Sequence, residues 1–268
     1  MFPPTCPIGL RRKQVEEAAM LAGKHAIVTG GGTGIGLAIA RALADQGAAV
    51  TITGRRREVL EEAAGDRLHP LVMDVTDEAS VSGGIAQAVE ARGPVQICIP
   101  NAGVAEGRAL HKTDSEFWRR VMATNLDGAF WTIRESLGSM RQADWGRVIA
   151  VSSIAGIRGL KGAAAYTASK HGMIGLIRSL SEDYMGEPIT FNALCPGYTD
   201  TDIVTRNVES IRNRAGISDE DALKMMVHAN RHRRLIEPEE VSAAVTWLCG
   251  PGSQSINGQT IEITGGQC

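Results

Sequence analysis

A doubly wound α/β fold around a parallel sheet is what this 268-residue sequence predicts, and three observations carry that expectation. Short β-branched apolar runs alternate with stretches of helical periodicity from Lys24 onward. The first run, AIVT, opens into a glycine cluster and then into the helical LAIARALADQG, the order of a mononucleotide-binding βαβ unit. No linker or internal repeat interrupts the pattern. Residues 23–268 therefore read as one domain of about seven parallel strands with helices on both faces, behind an extension at 1–22.

Composition narrows the function classes. The formal charge of −2 makes no electrostatic case for nucleic acid or an anionic membrane. Cys6, Cys98, Cys195, Cys249 and Cys268 show no paired spacing, which points to a reduced, cytoplasmic protein without structural disulfides or metal. No apolar run approaches the ~20 residues of a membrane span. The opening MFPPTCPIGLRRKQVEEAAML is broken by prolines and charges, so it reads as an arm and a short helix rather than a signal peptide.

In chain order, the loop TGGGTGIG lies between the first strand and first helix. Gly30, Gly34 and Gly36 let the backbone turn and approach a pyrophosphate, with Gly32, Thr33 and Ile35 completing the loop. A flexible loop is the competing reading. The second strand, AVTIT, ends in Gly54 and then Arg55, Arg56 and Arg57. An NAD site would usually place an acid here; a basic run suits a 2′-phosphate, with Arg55 first and Arg56 second, against the alternative of a solvated charge run.

HPLVMDV (69–75) reads as a third strand ending near Asp74 and Val75. The Asp74 carboxylate either accepts from an adenine amino group or caps a helix. ASVSGGIAQAVEARG is a helix weakened by two glycines, and VQICIPNAGVA is a fourth strand that brings Asn101 and Gly103 near the path of a dinucleotide. FWRRVMATNLDGAFWTIRESLGSMR is expected as one long amphipathic helix, in which a buried Asn125 would need its polar groups satisfied.

GRVIAVSSIAG supplies the fifth strand, ending at Ser152 and Ser153. Tyr166 and Lys170, four residues apart in AAYTASKHGMIGLIRSL, share a helix face. An ammonium beside a phenol lowers a pKa that starts near ~10, and a hydroxyl at Ser153 could hold a carbonyl oxygen beside it. An ordinary helix with a surface Tyr and Lys is the alternative. PITFNALCPGYTDTD adds the sixth strand, a Pro196-Gly197 turn, and hydroxyls at Thr199 and Thr201. Residues 200–234 are polar and helix-like, a lid pattern, with RHRR (231–234) as its surface. PEEVSAAVTWLCG starts a last helix and GQTIEITGG forms the seventh strand.

Together these residues resemble the short-chain dehydrogenase/reductase family over about Lys24 to Gly266, a Rossmann-type fold. TGGGTGIG matches the family's TGxxxGxG loop, Asp74-Val75 its adenine motif, Asn101-Ala102-Gly103 its NAG turn, and Asn125, Ser153, Tyr166 and Lys170 its catalytic tetrad. Pro196-Gly197 and Thr201 match its nicotinamide-contacting segment, and Pro100 departs from the usual NNAG. The resemblance implies that Tyr166 transfers a proton to or from the substrate oxygen and that Ser153 positions it. It also implies that Lys170 tunes Tyr166 and binds the nicotinamide ribose, and that Asn125 holds a kink and a relay water.

The chain is similar to 3-oxoacyl-thioester reductases and to 3-hydroxybutyrate dehydrogenases. In the latter, polar groups that bind substrate fall near the catalytic Ser and three residues before the catalytic Tyr, where this chain has Ala155 and Ala163, and Ala105 follows the NAG turn. A larger or more apolar ketone is therefore expected, with Arg206, Arg212 or His228 as the lid's polar contributions. The expectation is an NADP(H)-preferring ketoreductase, with NAD(H) and a 3-hydroxybutyrate-type or other secondary alcohol as the alternative. The resemblance further implies a homotetramer; a non-catalytic nucleotide-binding protein is the competing class.

Overall fold

Strand propensity, glycine turns and helix starts combine into a single seven-stranded sheet of order β3-β2-β1-β4-β5-β6-β7 in this computed structural model, which describes residues 19–228 and 230–266. The strands are β1 (His25–Thr29), β2 (Ala49–Gly54), β3 (Leu68–Val72), β4 (Val95–Ile99), β5 (Gly146–Val151), β6 (Ile189–Pro196) and β7 (Thr260–Ile263), and every pairing is parallel. The arm and short helix expected at the N-terminus, with Cys6 and Cys268, lie outside the described residues, apart from the turn at 19–23 that buries Leu21.

Strand side chains alternate between two cores, as the period of two requires. Ala26, Val28, Val50, Ile52, Ile97 and Ile99 face one core with α1 (Gly34–Asp45), α2 (Arg57–Ala63) and α9 (Pro238–Cys249). Ile27, Cys98, Val148, Ala150, Phe191 and Ala193 face the other with α3 (Glu78–Arg92), α5 (Gly128–Met140) and α6 (Ala164–Asp183). Arg147 on β5 is only 2% exposed. It donates to the Leu248 carbonyl at 2.9 Å and stacks over Trp145, so its charge lies at the C-terminal end of α9 where the helix dipole favours a cation.

Three local expectations are altered. β3 stops at Val72, so Asp74 lies in the turn beyond it; Asp74 accepts from the Thr76 N–H and hydroxyl at 2.9 and 2.8 Å, and Asp77 is the residue that caps α3. The glycine pair leaves α3 unbroken, because Gly84 is where the helix meets Met73: a Cβ there would sit 2.8 Å from the Met73 sulfur. The long helix expected after Phe117 is divided into α4 (Ser115–Met122), a π-helical turn (Ala123–Asp127) and α5. Gly128 at the start of α5 lies against Val75, whose carbonyl a Cβ would meet at 2.7 Å.

Residues 200–234 hold α7 (Asp202–Ala215) and α8 (Asp219–Val227). Their base is closed by a bridge between Thr199 and Ile236, and by the buried Asn230, whose amide donates to the Tyr198 and Arg234 carbonyls at 2.9 Å each.

Candidate active site

Sheet order reverses between β1 and β4, and the crevice opens at the carboxyl ends of those strands. Thr29 and Asn101 stitch the crevice floor: the Thr29 hydroxyl accepts from the Asn101 and Ala102 N–H groups at 3.0 Å each, and the Asn101 amide donates to the Thr29 carbonyl at 2.9 Å. Pro100, in place of an asparagine, follows the last residue of β4, and its carbonyl still accepts from Val151 at 2.9 Å. The missing N–H therefore falls past the end of β4.

The glycine loop is shaped by steric need. Gly30 and Gly34 have φ of 64° and 52°, which favours glycine. A Cβ at Gly36 would collide with the Gly30 carbonyl, and one at Gly34 would sit 3.1 Å from Thr201. Thr33 occupies the N-cap of α1 without a side-chain capping bond, leaving the first-turn N–H groups directed at the crevice. Arg55 and Arg56 follow β2, are exposed, and form no ion pair among the described residues. A glycine cradle, an open helix N-terminus and free guanidinium groups fit the pyrophosphate and ribose end of a dinucleotide.

Across the crevice, Ser153 follows β5 while α6 carries Tyr166 and Lys170. The Ser153 hydroxyl accepts from the Ala155 N–H at 3.1 Å and is hydrogen-bonded with the Tyr166 phenol. Lys170 is 4% exposed; its ammonium donates to the Val151 carbonyl at 2.8 Å, with Nζ 5.9 Å from the Tyr166 ring centre. Asn125 is fully buried in the π turn, and its amide accepts from the Val104 N–H at 2.8 Å and donates to the Val104 carbonyl and the Ser169 hydroxyl at 3.0 and 3.1 Å. Those bonds satisfy the polar groups of a mid-helix asparagine. Gly103 keeps the neighbouring space clear: a Cβ there would lie 3.2 Å from Asn125 Oδ1 and 3.7 Å from Lys170 Nζ.

The electrostatics depart from the simple Tyr–Lys expectation. Burial pushes the Tyr166 phenol up, the Ser153 hydrogen bond pulls it partly back, and Tyr198 and Cys195 add to the rise. Burial also lowers Lys170 to about 8. Desolvation therefore dominates for both groups.

A cavity of about 230 Å³ joins these parts. Ser153 and Tyr166 line it with Ile35, Pro196, Gly197, Thr199 and Thr201, whereas Asp74 and Val75 lie outside it by the α3 turn. Its walls include Leu160, Tyr198 and Met226, which sequence reasoning passed over; the tyrosine directly after Pro196-Gly197 was the available signal. Of the anticipated lid cations, Arg212 pairs with Asp219 at 3.2 Å and His228 bonds the Lys224 carbonyl, both away from the cavity lining, and the Arg206 side chain lies outside the described ones. Residues 200–234 line the cavity instead with Ile203, Val204, Asn207 and Met226.

Among the described residues no His, Cys, Asp and Glu cluster is placed to hold a metal ion, and no helix is long and apolar enough to cross a membrane.

The family model for short chain dehydrogenases matches residues 24–212. The chain is 32% identical to a D-beta-hydroxybutyrate dehydrogenase of Cupriavidus necator over 92% of its own length and 98% of that protein. It is 35% identical to an acetoacetyl-CoA reductase of Rhizobium meliloti, covering 90% of this chain and 97% of that one. A solved structure of an actinorhodin polyketide ketoreductase variant with NADPH superposes with a TM-score of 0.87 at 32% identity, covering 91% and 97% of the two chains. Sequence and fold thus agree over nearly the whole length: the chain belongs to the short chain dehydrogenase family and is an NAD(P)-dependent oxidoreductase acting on CH–OH groups.

Proposed function

We propose that the protein is an NADP(H)-preferring ketoreductase whose substrate is a larger, largely apolar ketone of the 3-oxoacyl-thioester or polyketide type. The observation that carries this reading is the cavity itself: Ser153 and Tyr166 line a space that Ile154, Leu160, Ile203, Val204 and Met226 also wall, with polar side chains such as Thr199, Asn207 and Lys161 among them. Ala105 and Ala163 line it where a small carboxylate would need polar partners, which weighs against the 3-hydroxybutyrate alternative. The relatives named ketoreductase and acetoacetyl-CoA reductase support the same choice.

A bound nicotinamide supplies the hydride chemistry. The protein's part is to hold the carbonyl oxygen between the Ser153 hydroxyl and the Tyr166 phenol, and to transfer the phenolic proton to that oxygen as the alcohol forms. A phenol raised by burial is a proton donor throughout the neutral range, which suits the reductive direction. Lys170 sets the charge behind Tyr166, and the space kept open by Gly103 between Asn125 and Lys170 suits a water that returns the proton from solvent. Arg55, with Arg56 behind it, favours the 2′-phosphate of NADP through charge-assisted bonds. The partly exposed Trp118 on α4 and Phe130 on α5 offer apolar area for the pairing of helices in a homotetramer.

The decisive experiment is a ketone and alcohol screen with both cofactors, followed at 340 nm. NADPH-dependent reduction of 3-oxoacyl thioesters that nearly vanishes in Tyr166→Phe is expected. Turnover undiminished in Tyr166→Phe would remove the tyrosine from its role, and cofactor binding without any turnover would favour a nucleotide-binding, non-catalytic protein.

A further inference from the structure

Of the two charged residues that line the cavity among the described residues, one is paired and one has no ion pair. Among the described residues lining the cavity, Glu106 and Lys161 carry charge. Glu106 is held by Arg120 in a two-pronged pair at 2.8 and 2.7 Å. The neighbouring rim cation, Arg108, is engaged by Asp114 at 3.1 Å and stacks over Phe117 at 4.1 Å. Lys161 has no ion pair among the described residues and is exposed at the rim, five residues before Tyr166 in the turn that leads into α6. Arg108 and Ala163 form a short parallel bridge, which fixes that turn against the loop after β4. A free ammonium on a flexible stem thus borders an apolar space whose reacting groups are Ser153 and Tyr166.

We propose that Lys161 is a specificity-determining residue that binds an anionic group carried by the substrate away from its reacting carbonyl. This rests on the ketoreductase reading above and adds the substrate's second feature: an apolar oxoacyl portion followed by a phosphate or a carboxylate. The alanines at 105 and 163 offer a substrate anion no polar side chain where they line the cavity, so the anion is recognised at the mouth. A mouth cation adds binding without touching the chemistry, so its signature lies in KM rather than kcat.

The test compares one 3-oxoacyl group in three forms: its coenzyme A thioester, which bears phosphates; its neutral N-acetylcysteamine thioester; and its N-succinylcysteamine thioester, which bears a carboxylate beyond the thioester. In Lys161→Ala the ratio of kcat/KM for the anionic form over the neutral thioester is expected to fall roughly five- to tenfold through KM. Lys161→Arg should restore the ratio, Lys161→Glu should lower it further, and added salt should shrink the difference in the wild type. A fall confined to the coenzyme A thioester assigns phosphate as the anion; one confined to the N-succinylcysteamine thioester assigns carboxylate. An unchanged ratio for both anionic forms overturns the inference while leaving the ketoreductase reading intact. If the wild type reduces none of the three, that reading fails, and calorimetric binding of the same ligands to the full chain still decides the role of Lys161. Loss of the anionic preference in Lys161→Ala supports it; equal binding by wild type and variant overturns it.

Discussion

The Asn125 amide donates to the Ser169 hydroxyl at 3.1 Å, and that hydroxyl donates in turn to the Tyr166 carbonyl at 2.8 Å. The π turn between α4 and α5 is thereby tied to the helix that carries Tyr166 and Lys170. Asn125→Ala would leave the Val104 N–H and carbonyl without their side-chain partner, a cost of about 2–4 kcal/mol for the buried groups. We expect a lower melting temperature together with a fall in kcat beyond tenfold. Thermal unfolding and steady-state kinetics on one preparation separate the two effects, and a variant with wild-type kcat would remove Asn125 from proton return.

We expect Lys170 to set the alkaline limit of the proposed reductive reaction. Burial lowers it to about 8, so its ammonium is present below that pH and lost as pH rises through it. Reductive kcat/KM should hold through neutral pH and decline above about 8. Lys170→Met should lower the rate by about a hundredfold or more and remove that limb from the profile. A wild-type profile flat to pH 10 would contradict the assignment.

Arg55 sits exposed after β2, where an acid would favour NAD. Arg55→Ala is expected to lower kcat/KM for NADPH by roughly tenfold or more while barely changing that for NADH. An NAD preference in the wild type that survives the substitution would reverse the cofactor reading.

His25 makes folding stability depend on pH. Its ring is 2% exposed, with Nδ1 against the Gly93 carbonyl and Nε2 against the Thr51 hydroxyl at 2.9 Å each, and burial lowers its pKa below 6.5. The unfolded chain takes up this proton more readily, so the stability is fully present above about 6.5 and is lost as pH falls toward the depressed folded value. His69 is lowered in the same direction. The melting temperature should drop between pH 7.5 and 5, with a shallower slope in His25→Gln and a remainder from His69.

Arg233 has φ of 58°, the left-handed region that a side chain enters at a cost. Arg233→Gly relieves that strain and loses part of the gain to chain entropy, leaving a stabilisation of about 0.5–1 kcal/mol. The expected rise in melting temperature is about 1–3 °C. A lower melting temperature would show that the Arg233 side chain holds the base of α7 and α8.

Much of the site was legible because its parts are local. A strand followed by TGGGTGIG, and a Tyr and Lys one helical turn apart, state their geometry through backbone rules alone. Ser153 and Tyr166, thirteen positions apart, meet because α6 starts only after the turn that follows β5. The fold class was legible for the same reason, since alternation of period two and helical periodicity separate the elements, whereas the strand order came from the structure. Missed features depend on neighbours remote in sequence. The π turn exists where Asn125 meets Val104 and Ser169, and Leu160 and Met226 face one cavity because the chain brings α8 back to the turn before α6.

The sequence alone thus determined the order of elements, the glycine cradle and the residue types available for proton and hydride chemistry, since these follow from local conformation and spacing. Tertiary structure decided the energetics. Burial raised Tyr166 where a neighbouring ammonium had been expected to lower it, and it brought Lys170 to about 8. Packing paired off Glu106, Arg108 and Arg212 while leaving Lys161 at the mouth. Desolvation and pairing depend on what surrounds a group in three dimensions, and spacing along the chain does not carry that information.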